Sequence, residues 1–149
     1  MGEKQQRNVQ ERENLYRMLL ERANRAGTFS HSAGICITEV GDGWAKGEME
    51  ITERSMNPLG IVHGGVMCTM MDQATGAAAC SRGSTCRTVN CEARFMAPGV
   101  AGKLHVYARA LRMGGRISVI RAEVRDDDGV LCAEGTYTLR LKQGFPVEE

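Results

Sequence analysis

The chain has 149 residues, which suits one domain with its own hydrophobic core and is too short for two comfortable ones. A formal net charge of +1, with 25% charged and 5% aromatic residues, argues against a nucleic-acid-binding surface. Apolar runs of about 18 residues are absent and the amino terminus is charged, so we expect a cytoplasmic protein without a membrane anchor or secretory signal.

The six cysteines favour small core side chains over a disulfide framework or a metal site. No CxxC pair occurs, and Cys80, Cys86 and Cys91 have spacings of six and five with no histidine nearby. We therefore expect no metal centre. Four of the cysteines lie inside apolar runs: Cys36, Cys68, Cys91 and Cys132.

The first predicted element is an amphipathic surface helix over residues 8–26, with Gly27 as its stop. A β-hairpin follows, with strands over residues 34–40 and 44–51. The Gly-Asp-Gly sequence at 41–43 is the turn signal between them. Residues 44–51 alternate in polarity with a period of two, which indicates a half-buried strand.

A second helix is predicted over residues 66–80, where so few side chains are polar that most of its circumference must be buried. Four strand-like runs follow, separated by short turns, at about 87–96, 103–113, 116–125 and 130–141. Short connections favour antiparallel neighbours, so we predict a meander. The fold class is α+β, with a twisted sheet of about six strands wrapped around the long helix.

Asp72 lies in the middle of this apolar helix, where an aspartate is costly. Its helix propensity is poor, and burying an unpaired carboxylate costs several kcal/mol. One interpretation is a structural aspartate satisfied by a neighbouring strand or subunit. The other is a general base or nucleophile, which we favour.

The sequence His63-Gly64-Gly65 stands at the start of the same helix. Free backbone N–H groups and the helix dipole favour negative charge there, and glycine lets a ligand carbonyl approach the backbone. This pattern is suited to an oxyanion site. Alternatively, the glycines permit a tight turn and the histidine caps the helix. Neither phosphate-loop motif, GxxxxGK[ST] nor GxGxxG, is present.

The two features are too far apart to act on one carbonyl within one chain. Asp72 is eight residues beyond Gly64, which is about 12 Å along a helix axis. A base and an oxyanion donor must both come within about 3 Å of the reacting atoms. If both are catalytic, we expect a symmetric dimer in which each site takes Asp72 from one chain and Gly64 from the other.

The pattern N-x-x-G-x-x-H-G-G-x6-D-x-A-x-G, which runs from Asn57 to Gly76, closely resembles the signature of hotdog-fold thioesterases of the phenylacetate-degradation (PaaI-like) branch. The resemblance covers residues 33–141 approximately. It implies a sheet wrapped around a central helix, homodimers or dimers of dimers, and hydrolysis of acyl-CoA thioesters with no cofactor beyond the CoA of the substrate.

Carried over by position, the resemblance implies roles for individual residues. Asp72 activates the attacking water or attacks directly, and the Gly64 amide polarises the thioester carbonyl. Asn57 assists at the carbonyl or water, and His63, with Gly65 beside it, helps to hold the entrance and the substrate. Thr88 positions the water, or is an ordinary strand threonine.

The CoA phosphates call for basic groups at the rim of the cleft, and Arg82, Arg87 and Arg116 are the candidates. We expect a hotdog domain over residues 33–142, preceded by a helix and connector at 1–32 and followed by a tail at 143–149. The alternatives are a hotdog hydratase or dehydratase of enoyl thioesters, and a non-catalytic acyl-CoA-binding protein. The sequence leaves the acyl preference open.

Overall fold

The computed structural model describes residues 2–144 and has the predicted α+β architecture, a six-stranded antiparallel sheet wrapped around one long helix. The helices and strands are α1 (Glu3–Ala23), α2 (Phe29–Ser32), β1 (Ile35–Gly41), β2 (Trp44–Glu50), α3 (Gly64–Cys80), β3 (Ser84–Phe95), β4 (Lys103–Met113), β5 (Ile117–Asp126) and β6 (Leu131–Gln143). A single 3-10 turn, Glu53–Ser55, lies between β2 and α3.

The strand order in the sheet is β1-β2-β4-β5-β6-β3, so the predicted meander is wrong for β3. This strand pairs with β6, and β4 pairs with β2. Residues 96–102 between β3 and β4 are therefore a crossover rather than a hairpin turn. Two backbone hydrogen bonds fix the crossover: the Val62 amide donates to the Gly99 carbonyl, and the Met96 amide donates to the Cys132 carbonyl. A turn signal in the sequence marks the end of a strand but does not choose its neighbour.

Helix α3 is packed against the concave face of the sheet and supplies a large part of the core. Its interior residues are small or flexible, which lets the sheet approach closely on several sides. Met70 and Met71 are fully buried core residues. The other α3 residues classed as buried are Met67, Ala74, Thr75, Ala77, Ala78, Ala79 and Cys80.

Helix α1 packs on the sheet and on α3, and it ends at Ala23 rather than at the predicted Ala26. The reason is Asn24, whose side chain leaves the helix to pair with the backbone of β1. Its Nδ2 donates to the Ile37 carbonyl and its Oδ1 accepts from the Ile37 amide, both at 2.8 Å. The amide side chain therefore occupies a hydrogen-bonding position on the outer edge of β1.

The opposite edge of the sheet, β3, is long and open. Of its 12 residues, nearly all beyond Cys86 are exposed, and large apolar side chains stand among them or directly after them. Val89 is 56% exposed, Phe95 54% and Met96 49%. An exposed edge of this length and composition is a template for pairing with another strand.

Two of the four cysteines expected in the core are exposed instead. Cys36 and Cys91 lie on the two edge strands, β1 and β3, and point to solvent, whereas Cys132 is buried and Cys68 is half-buried. An apolar run does not reveal which strand will lie at an edge. Among residues 2–144, no helix combines the length and the hydropathy needed to cross a bilayer.

The domain limits at residues 33 and 142 stay predictions, and the structure adds one observation at each end of the chain. Strand β6 continues to Gln143, one residue into the expected tail, and residues 145–149 lie outside the described part of the chain. At the other end, α1 and α2 pack on β1 and α3.

Candidate active site

Asp72 is exposed on the side of α3 that adjoins β3, so the expectation of a buried aspartate is wrong for the single chain. Burial is periodic along the helix, and positions 71, 74 and 75 face the sheet while position 72 does not. The carboxylate is held by one strong contact: the Thr88 hydroxyl on β3 donates to Asp72 Oδ1 at 2.6 Å. The structure thus joins two residues that the sequence resemblance had named separately.

A cavity of about 400 Å³ begins at this pair and runs along α3 toward its carboxyl end. It lies between α3, α1 and β3, and α1 is fixed beside it because Gln73 Nε2 donates to the Ala23 carbonyl at 2.8 Å. The lining residues are Leu19, Arg22, Ala23, Asp72, Gln73, Gly76, Ala77, Cys80, Thr85, Cys86 and Thr88.

At the amino end of α3, the Gly65 N–H is hydrogen-bonded within the described chain and the Gly64 N–H is not. His63 is the N-cap, and its Nδ1 accepts from the Gly65 amide at 2.8 Å, which places the proton of a neutral ring on Nε2. His63 therefore caps the helix, as the alternative interpretation of the sequence predicted, and the Gly65 N–H is already hydrogen-bonded. The Gly64 N–H has no acceptor among residues 2–144.

Asn57 lies close to this helix end but is partly committed to its own loop. Its Oδ1 accepts from the amides of Leu59 at 2.9 Å and Ile61 at 3.4 Å. Asn57 and Gly64 line a second cavity of about 360 Å³, with Met67 and Phe95 among its walls. The carboxamide nitrogen of Asn57 has no acceptor in the described part of the chain.

The candidate residues therefore fall into two groups, one at the start of α3 and one at its middle. Asp72 and Thr88 line the first cavity, Asn57 and Gly64 line the second, and no residue is shared between the two linings. The eight helical residues from Gly64 to Asp72 correspond to about 12 Å of rise. The structure does not bring the two groups together within one chain.

The three arginines expected near CoA differ in their surroundings. Arg82 is bound to Asp42 in the β1–β2 turn, with Nε donating at 2.7 Å. That hydrogen bond, with the charge of the guanidinium, holds the pKa of Asp42 below its usual value. Arg87 and Arg116 are exposed and have no carboxylate partner in the described chain.

Arg140 is a further basic residue beside these arginines that no sequence motif singles out. It lies on β6 directly opposite Arg87 on β3, and its other neighbour is Ile117, the residue after Arg116. Like charges directly opposite each other in a sheet destabilise it unless an anion is nearby. Only the strand register could reveal this pairing, because 53 positions separate the two arginines in sequence.

Two polar groups near the site serve the fold. The buried Tyr137 hydroxyl donates to the Cys68 carbonyl of α3 at 3.0 Å, and burial raises the pKa of Tyr137. A hydrogen bond with Cys86, together with burial, raises the pKa of the Cys80 thiol at the far end of the first cavity. Within residues 2–144, no group of three or more His, Cys, Asp or Glu side chains is arranged to hold a metal ion.

Comparisons with known proteins give the family. The family model described as "Thioesterase superfamily" matches residues 59–133, half of the chain. Human acyl-coenzyme A thioesterase 13 is 26% identical over 130 residues, 84% of this chain and 93% of that protein. Two solved structures share the fold.

The E. coli PaaI protein from the phenylacetic acid degradation operon superposes with a TM-score of 0.79 at 23% identity, over 87% of this chain and 97% of that one. Thioesterase HI1161 from Haemophilus influenzae superposes with a TM-score of 0.77 at 24% identity, over 87% and 94%. The chain belongs to the thioesterase superfamily, as a thioester hydrolase with the PaaI-like hotdog fold.

Proposed function

We propose that this protein hydrolyses acyl-CoA thioesters to a free acid and CoA, with Asp72 as the group that activates water. The observation that carries the proposal is the Asp72–Thr88 hydrogen bond of 2.6 Å at the mouth of a cavity. A solvated carboxylate fixed by one hydroxyl keeps its second oxygen, Oδ2, for a water molecule.

In the proposed reaction, Asp72 takes a proton from the water as the water oxygen attacks the thioester carbon. The carbonyl oxygen becomes an oxyanion, which the Gly64 N–H at the helix terminus stabilises. Collapse of this intermediate breaks the carbon–sulfur bond, and the proton on Asp72 passes to the thiolate of CoA. The step uses water and the protein's own groups, and needs no separate cofactor. The alternative mechanism is direct attack by Asp72 on the carbonyl, and isotope labelling distinguishes it from water activation.

In this proposal the Gly64 N–H comes from a second copy, because Gly64 and Asp72 line separate cavities within one chain. The two edges of the sheet differ in what they offer to a partner. The β1 edge is occupied at Ile37 by the Asn24 side chain, whereas the β3 edge is open and exposes apolar side chains. We therefore place the dimer contact at β3, with antiparallel pairing of two copies around a two-fold axis.

We propose a register for this pairing that accommodates the bulge in β3. Strand β3 carries an extra residue, Val89, in its pairing with β6. A two-fold axis at Glu92, with Val89 skipped again, places Thr88 opposite the partner's Phe95. Both side chains lie on the sheet face toward α3, as a directly opposed pair requires. Because Phe95 packs against Gly64, this register brings the partner's Gly64 toward Thr88 and Asp72.

Arg87, with Arg140 opposite it and Arg116 nearby, is proposed to bind phosphate groups of CoA. Arg82 is a weaker candidate because Asp42 already engages it. Guanidinium groups bind phosphate oxygens in a bidentate geometry, and an anion would relieve the repulsion between the opposed arginines. Asn57, His63 and Gly65 would support the carbonyl end of the substrate, His63 by fixing the start of α3.

Release of free thiol from a panel of acyl-CoA esters, compared between wild type and Asp72→Asn, tests the proposal. We expect the variant to lose about 10²–10⁴-fold in kcat, the range for removal of a general base. Asp128→Asn, at an exposed carboxylate in the β5–β6 turn, is the matched control and should retain wild-type rates. Equal rates in wild type and Asp72→Asn would refute the mechanism. Acyl-CoA binding without thiol release would instead identify a binding protein, and water addition to an enoyl-CoA would identify a hydratase.

A further inference from the structure

No contact among residues 2–144 requires a glycine at position 76. This position lies inside α3, four residues beyond Asp72, where glycine weakens a helix by about 1 kcal/mol relative to alanine. In the described part of the chain, a Cβ built at Gly76 would meet only Cys86 Sγ, at 3.8 Å, which is an ordinary van der Waals distance. Neither backbone strain nor a steric clash explains the missing side chain.

The space that a side chain would fill is the first cavity, which Gly76 lines midway along its length. The cavity begins at Asp72 and Thr88, the groups that act on the thioester in the proposed function. It ends at Cys80, which is 9% exposed. Beyond the mouth, the wall consists of apolar atoms of Leu19, Ala77 and the two cysteines together with the polar side chains of Arg22 and Thr85.

We infer that this cavity is the acyl subsite and that Gly76 keeps it open for an unbranched, medium-length acyl chain lying along α3. The inference rests on the proposed thioesterase function and adds the substrate class. The chain would run from Asp72 toward Cys80, with α1 as the outer wall.

The length of the cavity sets the size of the chain. The eight residues from Asp72 to Cys80 span about 12 Å of helix rise. A carbon–carbon bond of about 1.5 Å at a tetrahedral angle advances about 1.25 Å, so about eight to ten carbons fill this distance. The volume of about 400 Å³ is within the usual range for small-molecule sites. An acetyl group ends well before Gly76, which is about 6 Å beyond Asp72 along the axis.

The test compares kcat/KM for acetyl-CoA and octanoyl-CoA in wild type, Gly76→Leu and Gly76→Ala. We expect Gly76→Leu to lower the value for octanoyl-CoA at least about tenfold, since methylene-sized changes in an apolar pocket are worth about 10–200-fold. Acetyl-CoA serves as the internal control and should change by less than about twofold. Gly76→Ala should lower the octanoyl-to-acetyl ratio in the same direction and raise Tm by about 2–4 °C, because alanine favours the helix.

The outcomes separate this inference from the function on which it rests. If wild type releases no thiol from any acyl-CoA, the proposed function fails. If wild type is active but both Gly76 variants change all chain lengths equally, or none, the acyl-subsite assignment is overturned. A lower Tm or a changed sedimentation coefficient for Gly76→Ala would also overturn it, because Gly76 would then serve packing within or between chains. Should Gly76→Leu fail to fold, the ratio in Gly76→Ala decides.

Discussion

Replacing Gly64 by proline removes the one backbone N–H that we propose as the oxyanion donor while leaving α3 able to form. Gly64 is the first residue of the helix, where proline costs no intrahelical hydrogen bond. His63 before it has φ −60° and ψ 133°, an extended conformation compatible with a following proline. Gly64→Ala is the matched control: it adds the carbon that would lie 3.3 Å from the Phe95 ring and keeps the N–H.

The expected magnitude follows from the geometry of the site. Loss of one oxyanion donor costs about 10²–10³-fold in kcat, or about 2.7–4 kcal/mol. In Gly64→Ala the tight contact with Phe95 calls for a shift of a few tenths of an ångström. Such overpacking costs about 1 kcal/mol. If all of it is felt in the transition state, kcat falls about fivefold. Rates of thiol release with saturating acyl-CoA measure both, and circular dichroism reports whether α3 is retained.

Mixing variants tests whether the donor comes from the partner. Gly64→Pro and Asp72→Asn are each inactive, but a mixed dimer contains one complete site, formed by Asp72 of one chain and Gly64 of the other. Equal amounts that exchange at random give half mixed dimers, so about a quarter of wild-type activity should return. If the activity of the mixture after subunit exchange equals the sum of the activities of the two separate variants, the shared site is refuted. A fully active monomer would also refute it.

Three further outcomes are expected. Thr88→Val should lower kcat/KM about 10–100-fold, because it removes a hydrogen bond of about 1.5–3 kcal/mol to the Asp72 carboxylate. Thr88→Ser keeps a hydroxyl and should retain most of the wild-type rate. Equal rates in wild type and both variants would make Thr88 an ordinary strand residue. Arg87→Gln should raise KM for an acyl-CoA about fivefold and leave the matching N-acetylcysteamine thioester, which lacks phosphates, unchanged; an equal effect on both substrates would contradict phosphate binding. Arg82→Ala should lower Tm at pH 7 without changing KM. The hydrogen bond from Arg82 lowers the pKa of Asp42 from its usual value. This stabilisation is therefore complete above the usual pKa of an aspartate and is lost as pH falls through the folded-state pKa, so the Tm difference should vanish in strong acid. A Tm difference that persists there would show another role for Arg82.

The local elements could be predicted well from the sequence because local physics decides them. The alternation of residues 44–51 predicted β2, and the apolar run around Asp72 predicted α3. The strand at Lys103–Met113 is present with the predicted limits. The helix rise of about 1.5 Å per residue also separates Asp72 from Gly64 whatever the tertiary packing.

Relations between distant segments needed the tertiary structure. The choice of β6 rather than β4 as the neighbour of β3 depends on long-range packing around α3, which no turn signal encodes. That choice makes β3 an open edge, exposes Cys91, and sets Arg87 opposite Arg140. It also brings Thr88 to Asp72, although 16 positions separate them in sequence.

The sequence by itself thus determined the type of fold and the central helix with its His63-Gly64-Gly65 start, and it singled out Asp72 as a candidate. These follow from periodicity, capping and the cost of a carboxylate in an apolar helix, all of which are short-range. The tertiary structure alone decided that Asp72 is exposed rather than buried, that His63 holds the Gly65 amide, and that a cavity passes Gly76. Burial and cavity shape depend on which surfaces meet, and that is a property of the packed chain rather than of any one segment.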